Sequence, residues 1–200
     1  MVHYLALRRL RSTVLLDTPS GKLNGRFIRP GITRVQQGKP KLTTNKPLDL
    51  AEFGMAGVTA YPVDIGNPHL VVLGCTDNHL ESLEAFGSRL EHHPFFPNRC
   101  NVEFCQVLPP SIANENGSDL VLRVMMWERG AGRTSACGSG ACAAAAAAVA
   151  ARNFGGKGAA ALVLVEMEGG ILRVIIDEDG TATHEGEARF VYRGAIPMHL

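Results

Sequence analysis

The sequence predicts an α+β fold in which short strands outnumber helices and enclose one apolar helix. Most of the chain divides into short apolar and β-branched runs separated by glycine, proline and asparagine, a pattern typical of strands and turns. The exception is an almost pure alanine segment. Alanine is the strongest helix former, and because Ala143–Ala151 is apolar on every side, we expect the strands to enclose this helix.

The first part of the chain is predicted to form three strands and a connecting loop. The three runs end in turn residues such as Thr18-Pro19-Ser20-Gly21. The segment that follows is polar and contains Pro40 and Pro47, so it is interpreted as a loop. The predicted strands are 12–17, 23–28 and 32–36, and the predicted loop is 38–50.

The middle of the chain is predicted to hold strands on either side of one helix. Two apolar strands flank a turn at Gly66-Asn67-Pro68-His69, and apolar residues at helical spacing follow. The predicted strands are 58–65, 70–74 and 101–107, the predicted helix is 80–90, and 109–118 is predicted to be a loop rich in proline, asparagine and glycine.

The last part of the chain contains the alanine helix and further strands. A strand leads into the cysteine-containing segment, and Gly155-Gly156 supplies a stop signal after the helix. Hairpin turns are predicted at Gly169-Gly170 and at Glu178-Asp179-Gly180. The predicted strands are 120–127, 161–167, 170–177 and 189–194, and the predicted helix is 141–152.

Composition excludes several classes of protein. The net charge of +1 gives no reason to expect a nucleic-acid partner, and no run is apolar and long enough for a membrane span. The five cysteines form neither a disulfide framework nor a CxxC or CxxH pair, so a reducing compartment is favoured and no metal site is predicted. Arg8, Arg9 and Arg11 give a weak organellar targeting signal, and an exposed basic helix end is the alternative.

The start of the alanine helix is the strongest functional signal. Cys137 precedes Gly138 and Gly140, at the point where backbone N–H groups have no intrahelical partner and the positive end of the helix dipole lies. Such an end attracts anions and lowers the pKa of a nearby thiol. The alternative, a buried and inert cysteine at a tight strand-to-helix turn, stays open on spacing alone.

Three segments in the same order resemble one family. Trp127–Ala145, with Glu128-Arg129-Gly130 and Ala136-Cys137-Gly138-Ser139-Gly140, is similar to the second cysteine motif of the diaminopimelate epimerase family. Gly66-Asn67-Pro68-His69 and Asn98–Phe104 resemble two further motifs of that family. The resemblance spans roughly residues 14–200. It implies two similar domains, each a barrel-like sheet around a central helix, and cofactor-independent epimerisation of an amino acid in lysine biosynthesis.

The resemblance also implies a domain division. Residues 56–187 correspond to a complete second domain, and residues 1–55 with the C-terminal strand 188–200 correspond to part of the first. The family's first cysteine lies in an Asn-Gly-x-Arg-Cys type segment, whereas here Asn24-Gly25-Arg26 is followed by Phe27. We therefore expect little epimerisation by the chain alone, and either self-association or dependence on a complementing N-terminal fragment.

Site residues follow from the same motifs, position by position. Cys137 matches one of the two acid–base thiols. The resemblance implies that Gly138 and Ser139 bind the reacting carboxylate, and that the distal amino-acid group of the substrate is held by Asn67, Asn101, Glu128 and Arg129.

For several of these residues the sequence leaves structural alternatives open. Asparagine readily forms turns, so the alternative for Asn67 beside Pro68 is a purely structural role in the turn. For Arg129 the alternative is a structural ion pair. His69 has two interpretations as well: it is predicted either to stabilise the turn or to contact the substrate. Cys100 is unsuited to replace the missing thiol, because neighbouring strand residues point to opposite faces and Asn101 is the residue expected to face substrate. Arg133 stands where the family usually has glutamate, and this reversal of charge is predicted to alter the pKa of nearby groups or the closure of the two domains.

Three functions are therefore predicted as alternatives. The first is a cytoplasmic diaminopimelate epimerase that binds a small-molecule substrate and no cofactor. The second is an inactive relic, or half of a split enzyme, that keeps a carboxylate-binding half-site. The third is a related isomerase of another small acid, such as a proline racemase or a phenazine-type isomerase.

Overall fold

Twelve strands and four α-helices make up the parts of the chain that the structure describes. It is a computed structural model, and it describes Val2, Tyr4 and residues 12–18, 21–152 and 160–194. The strands are β1 (Thr13–Thr18), β2 (Gly21–Arg29), β3 (Ile32–Gly38), β4 (Lys41–Leu42), β5 (Thr59–Asp64), β6 (Pro68–Leu73), β7 (Asn101–Val107), β8 (Leu120–Glu128), β9 (Gly132–Thr134), β10 (Ala161–Met167), β11 (Gly170–Ile176) and β12 (Ala182–Glu187). The helices are α1 (Asp77–Glu81), α2 (Leu83–Leu90), α3 (Pro110–Glu115) and α4 (Gly138–Ala151), and Ala51–Phe53 is a short 3₁₀ helix.

All of these strands belong to one mixed sheet. Its order is β1-β2-β3-β12-β11-β10-β8-β7-β6-β5-β4, and β9 pairs with β8 off this path. Most neighbours are antiparallel, whereas β6 with β7 and β8 with β10 are parallel. The predicted α+β class, with many strands and few helices, is confirmed.

The sheet curves around α4, as expected for an enclosed alanine helix. This helix contacts β5, β6, β7, β8, β10, β11 and β12, and it presents only small side chains to them. Ala143, Ala144, Ala145 and Ala147 are completely buried. Because alanine adds so little width to the helix, strands can approach it closely from several sides and form one dense core.

A second apolar core lies on the other side of β6 and β7. Helices α1 and α2 cover that face, where Leu83 and Leu90 pack with Leu70, Val72 and Phe104. These two strands are therefore buried on both faces, which explains why β6 is continuously apolar from Leu70 to Leu73.

The remaining strands, β1 to β3, extend the sheet from β12. Strand β3 pairs antiparallel with β12, from Ile32 opposite Glu187 to Gly38 opposite Ala182. The sheet is thus continuous across residue 55, and the predicted division into a partial and a complete domain stays a prediction. Across the described ranges, no helix has the length and apolar character needed to cross a membrane.

Several predicted elements need correction. The helix predicted at 80–90 is two helices that break at Ser82, the first of them capped by Thr76, whose N–H donates to His79 Nδ1 over 3.1 Å. The predicted loop 109–118 contains α3, for which Pro110 supplies a preformed first helical position.

The C-terminal end of the chain differs most from the prediction. Strand β12 was not predicted, because its residues are largely polar. The strand predicted at 189–194 is wrong: these residues are irregular, and pairing with β3 ends at Glu187. Residues 195–200 of the predicted C-terminal strand, the stop signal Gly155-Gly156 and the N-terminal arginines lie outside the described residues.

Candidate active site

The N-terminus of α4 places Cys137 where the sequence predicts a reactive thiol. Cys137 is the N-cap residue, with extended backbone angles of φ −143° and ψ 121°, and its carbonyl accepts the first helical hydrogen bond from Ala141 N–H at 2.9 Å. Its Sγ lies 3.3 Å from Ser139 Oγ. The first N–H groups of the helix beside it are free of intrahelical partners.

The predicted lowering of the Cys137 pKa is wrong. Burial raises the pKa of this thiol above its ordinary value. Hydrogen bonds from Ser139 and the Gly140 N–H lower the pKa, but they do not offset burial, and the carboxylates of Glu103 and Glu128 raise it further. The thiol is therefore protonated at neutral pH.

Cys137 still differs from the other four cysteines, all of which are buried. Burial raises the pKa of Cys75 and of Cys142 to about 12. Cys100 lies in the second core with its Sγ 3.5 Å from the Leu90 carbonyl, so it does not reach the start of α4.

This contrast leads to a prediction about alkylation. With brief iodoacetamide treatment we expect Cys137 to react before Cys75, Cys100, Cys105 and Cys142, because it is the half-buried thiol among buried ones. We also expect it to react more slowly at pH 7 than free N-acetylcysteine, and faster as the pH rises, because a raised pKa leaves less thiolate. Peptide mapping by mass spectrometry measures both; a rate at pH 7 above that of N-acetylcysteine would contradict the raised pKa.

A buried histidine–glutamate pair underlies the site. His69 Nδ1 lies 2.7 Å from Glu103 Oε1, and both side chains are 0% exposed. Burial raises the pKa of Glu103, and the interaction with His69 opposes that shift. Within the described ranges, His69 Nε2 and Glu103 Oε2 have no hydrogen-bond partner. The sequence motifs contain both residues, but their pairing depends on β6 and β7 lying side by side.

Gly140 lets α4 approach this pair. A β-carbon built at Gly140 would lie 2.1 Å from Met126 Cε and 2.8 Å from Glu103 Oε1. Any other residue there would have to displace the Met126 methyl group or the Glu103 carboxyl group. The second glycine of the cysteine segment is therefore explained by close packing.

The predicted binding residues on the neighbouring strands form a second group. The Asn101 side chain joins two segments, since its amide donates to the Pro68 carbonyl at 3.2 Å and its Oδ1 accepts the Arg129 N–H at 3.0 Å. Asn67 is half-buried in the turn next to it, and in the part of the chain that the structure describes its side chain makes no hydrogen bond. Asn101 thus holds Pro68 and Arg129 together.

Glu128 and Arg129 follow at the end of β8. Glu128 Oε1 accepts a 2.6 Å hydrogen bond from Thr134 Oγ1, and its carboxylate lies close enough to Cys137 to raise the pKa of that thiol. Arg129 is exposed and donates to the Asn98 carbonyl at 3.1 Å. The carboxylate therefore belongs to the surroundings of the thiol, and the guanidinium reaches solvent.

Sequence reasoning missed Glu91, which fixes this turn. Its carboxylate accepts hydrogen bonds from Trp127 Nε1–H, Gly130 N–H and the Arg99 guanidinium, each at 2.9 Å. Burial acts to raise the pKa of Glu91, but these donors outweigh it and the pKa is lowered. Nothing in the sequence near Glu91 marks it, since its partners come from distant segments.

Arg133 forms a surface ion pair rather than a contact with the thiol. Its guanidinium bonds the Glu168 carboxylate on the loop after β10, with Nε 3.3 Å from Oε2. The groups that shift the pKa of Cys137 are carboxylates and hydrogen-bond donors nearer to it. Among the residues described, no group of three or more histidine, cysteine, aspartate or glutamate side chains is placed to hold a metal ion.

Comparison with known proteins gives consistent results. A sequence model of the diaminopimelate epimerase family matches residues 61–191. A diaminopimelate epimerase of Phocaeicola vulgatus is 37% identical over 204 residues, covering 94% of this chain and 67% of that protein. One from Rhodospirillum centenum is 36% identical over 198 residues, covering 95% of this chain and 63% of that protein. The chain therefore spans about two thirds of the length of these curated relatives.

Solved structures show the same fold at lower sequence identity. A phenazine biosynthesis protein of Bacillus anthracis superposes with a TM-score of 0.66 at 13% identity, over 93% of this chain and 70% of that one. A hydroxyproline epimerase of Agrobacterium vitis gives a TM-score of 0.59 at 17% identity, over 88% of this chain and 57% of that one. At such identities the likeness concerns the fold alone.

Proposed function

Because this chain belongs to the diaminopimelate epimerase family, we propose that it contributes one of two acid–base thiols to the cofactor-independent epimerisation of LL-diaminopimelate to the meso form. The observation that carries the proposal is the position of Cys137. It is the half-buried thiol among five cysteines, and it caps the enclosed helix that the sheet surrounds. The product would serve lysine biosynthesis.

The reacting carboxylate would bind at the start of α4. Gly138 and Ser139 are the first helical residues after Cys137, and their N–H groups point out of the helix end together with the positive end of its dipole. A carboxylate held there places the α-carbon beside Cys137. It also spreads the negative charge that develops when the α-proton leaves, which is electrostatic stabilisation of the transition state.

The proton steps require a thiol on each face of the α-carbon. A thiolate on one face takes the α-proton, and the electron pair of the broken C–H bond stays on the substrate as a carbanion. Cys137, protonated in this structure because burial raises its pKa, delivers its S–H proton to the opposite face. One C–H bond breaks and another forms, so one thiol gains a proton and the other loses one.

The distal amino-acid group of the substrate would bind beside Asn101. We assign Asn67, Asn101, Glu128 and Arg129 to that group: the carboxylate of Glu128 suits an ammonium and the guanidinium of Arg129 suits a carboxylate. The half-buried amide of Asn67 is available for a directed hydrogen bond. Asn101 already bonds Pro68 and Arg129, so its contribution is to hold those two segments in register.

The second thiol would come from a segment other than the 200 residues of this sequence, whose five cysteines the structure describes. Cys75, Cys100, Cys105 and Cys142 are all buried in cores, so none presents sulfur across from Cys137. We propose that residues 56–187 form the complete second domain, that residues 1–55 and 188–200 belong to the first, and that the other thiol is supplied by a first-domain segment. Five free thiols suit a reducing, cytoplasmic setting.

Complementation tests the proposal directly. The purified chain is mixed with the third of a curated relative that it does not match, and conversion of LL- to meso-diaminopimelate is followed by chiral chromatography. We expect conversion by the mixture and none by either part alone. Turnover by the chain alone would show that a second thiol is already within it. If the mixture binds diaminopimelate but does not convert it, the proposed epimerisation is wrong, and the chain is a half-site that binds a carboxylate without catalysis.

A further inference from the structure

A histidine outside the recognised motifs lies against the start of α4. His184 is on β12, on the face of that strand turned towards the helix, and it is half-buried. A β-carbon built at Gly138 would lie 2.8 Å from its Cε1 and 3.1 Å from its Nε2. Gly138 therefore leaves the space that the imidazole ring occupies, and the ring lies beside the helix end that would receive the carboxylate.

A side-chain amide from β3 also lies close to Gly138. The register of β3 against β12 shifts between Ala182 and Thr183, whose partners are Gly38 and Gln36, so Gln37 is the extra residue of a β-bulge. Bulges redirect side chains next to functional sites. Gln37 Nε2 would lie 3.4 Å from the β-carbon built at Gly138. Neighbouring strands thus bring an imidazole and a carboxamide to one helix residue.

The other ring nitrogen of His184 contacts Cys142, and this contact is compatible with a ring that carries its proton on Nε2. Its Nδ1 lies 3.8 Å from Cys142 Sγ, one helical turn along α4. Burial raises the pKa of Cys142 to about 12, so the sulfur keeps its proton and can donate to Nδ1. Burial also lowers the pKa of His184, which favours the neutral ring. A neutral ring that accepts at Nδ1 carries its proton on Nε2.

The Nε2–H group is available for a ligand. In the described ranges no residue accepts a hydrogen bond from it, and it is not among the fully buried polar atoms that lack partners. The titratable group in contact with the ring is the thiol of Cys142, which is not an anion at neutral pH. An outside acceptor is therefore what the donor fits.

We propose that His184 and Gln37 are additional substrate-positioning residues, whose side-chain N–H groups bind the carboxylate held at the N-terminus of α4. This inference rests on the proposed function, since it names further donors for the same carboxylate. The backbone N–H groups of Gly138 and Ser139 would bind from the helix axis, and the two side chains would bind from the β3–β12 side.

Protection of Cys137 from iodoacetamide by diaminopimelate tests the inference on the full chain. His184→Phe keeps the ring and removes the donor, so we expect the half-protecting concentration to rise about 10- to 100-fold, the loss of one hydrogen bond to a charged group. His184→Gln, which restores an N–H, should recover most of the affinity. The matched control is His92→Phe, because His92 is an exposed histidine just after α2 whose Nδ1 contacts the Ser88 carbonyl, and this variant should match the wild type.

A spectroscopic measurement keeps the inference testable if His184→Phe fails to fold. In wild-type chain labelled with ¹⁵N-histidine, the Nε2–H resonance of His184 should shift on addition of acetate, the probe for a simple carboxylate, and should not shift with chloride at equal ionic strength. A His184 resonance unmoved by both acetate and diaminopimelate overturns the inference, as does equal protection of His184→Phe and wild type. A shift with acetate, combined with no protection by diaminopimelate, supports the carboxylate site and rejects diaminopimelate as substrate.

Discussion

Replacing Cys137 with alanine is expected to abolish catalysis while leaving the fold intact. The side chain is half-buried at the N-cap of α4, where it contacts Ser139 Oγ at 3.3 Å and packs against the edge of the apolar core, so the loss of one sulfur atom costs little packing. General acid–base groups contribute about 10²- to 10⁴-fold to rate, and a proton donor on one face of the α-carbon has no substitute. We expect epimerisation by the complemented protein to fall at least about 10³-fold.

The measurement compares Cys137 with a cysteine that lies outside the site. Conversion of LL-diaminopimelate and incorporation of solvent deuterium at the α-carbon are recorded together, for Cys137→Ala and for Cys75→Ala as a control that is buried in the second core. The control should keep the wild-type rate once its lower stability is allowed for. Unchanged conversion by Cys137→Ala would mean that the chemistry uses another group, and the proposed role of this helix end would be wrong.

Removing His69 is expected to be the most destabilising single change near the site. The pair with Glu103 is completely buried, so His69→Ala leaves a carboxyl group without its partner and opens a cavity. Leaving a buried polar group without its partner costs about 1–3 kcal/mol, and the cavity adds to that cost, so the total is a large share of the stability of a domain. Urea unfolding should show the midpoint falling with little change in slope.

A double variant distinguishes the pair from simple packing. His69→Leu combined with Glu103→Met removes both polar partners while keeping volume, and such replacements are often neutral or stabilising. We expect the double variant to be more stable than His69→Leu alone. If instead the two costs add, the two residues are not energetically coupled, and the 2.7 Å contact contributes nothing to stability.

Local patterns carried most of the fold prediction. The strand at Asn101–Val107 was predicted with its observed bounds, and α4 begins at Gly138, close to the predicted start, because alanine content and flanking glycine act locally. Strand β12 was not predicted, because the polar residues Thr183, His184 and Glu185 form a strand only by pairing with β3 on one side and β11 on the other. Such pairing is tertiary and leaves no periodic signal.

The site was predictable in its members but not in its electrostatics. Motif resemblance named Cys137 and its neighbours, whereas the sign of its pKa shift depends on burial and on two carboxylates contributed by β7 and β8. Glu91 and the pairing of Glu103 with His69 were not predicted for the same reason, because their partners lie far away in the sequence. The dipole at a helix end can be predicted from the sequence, whereas the desolvation of the Cys137 thiol depends on the folded structure.

The pairing of β3 with β12 also sets the order in which this protein can be completed during synthesis. Strands β1 to β3 leave the ribosome early, yet the strand that joins them to the rest of the sheet is made only after β11. Until then the edge of β3 lacks its partner strand, and contacts this distant in sequence form slowly. The period between translation of Gly38 and of Glu187 is therefore when the nascent chain most needs a chaperone.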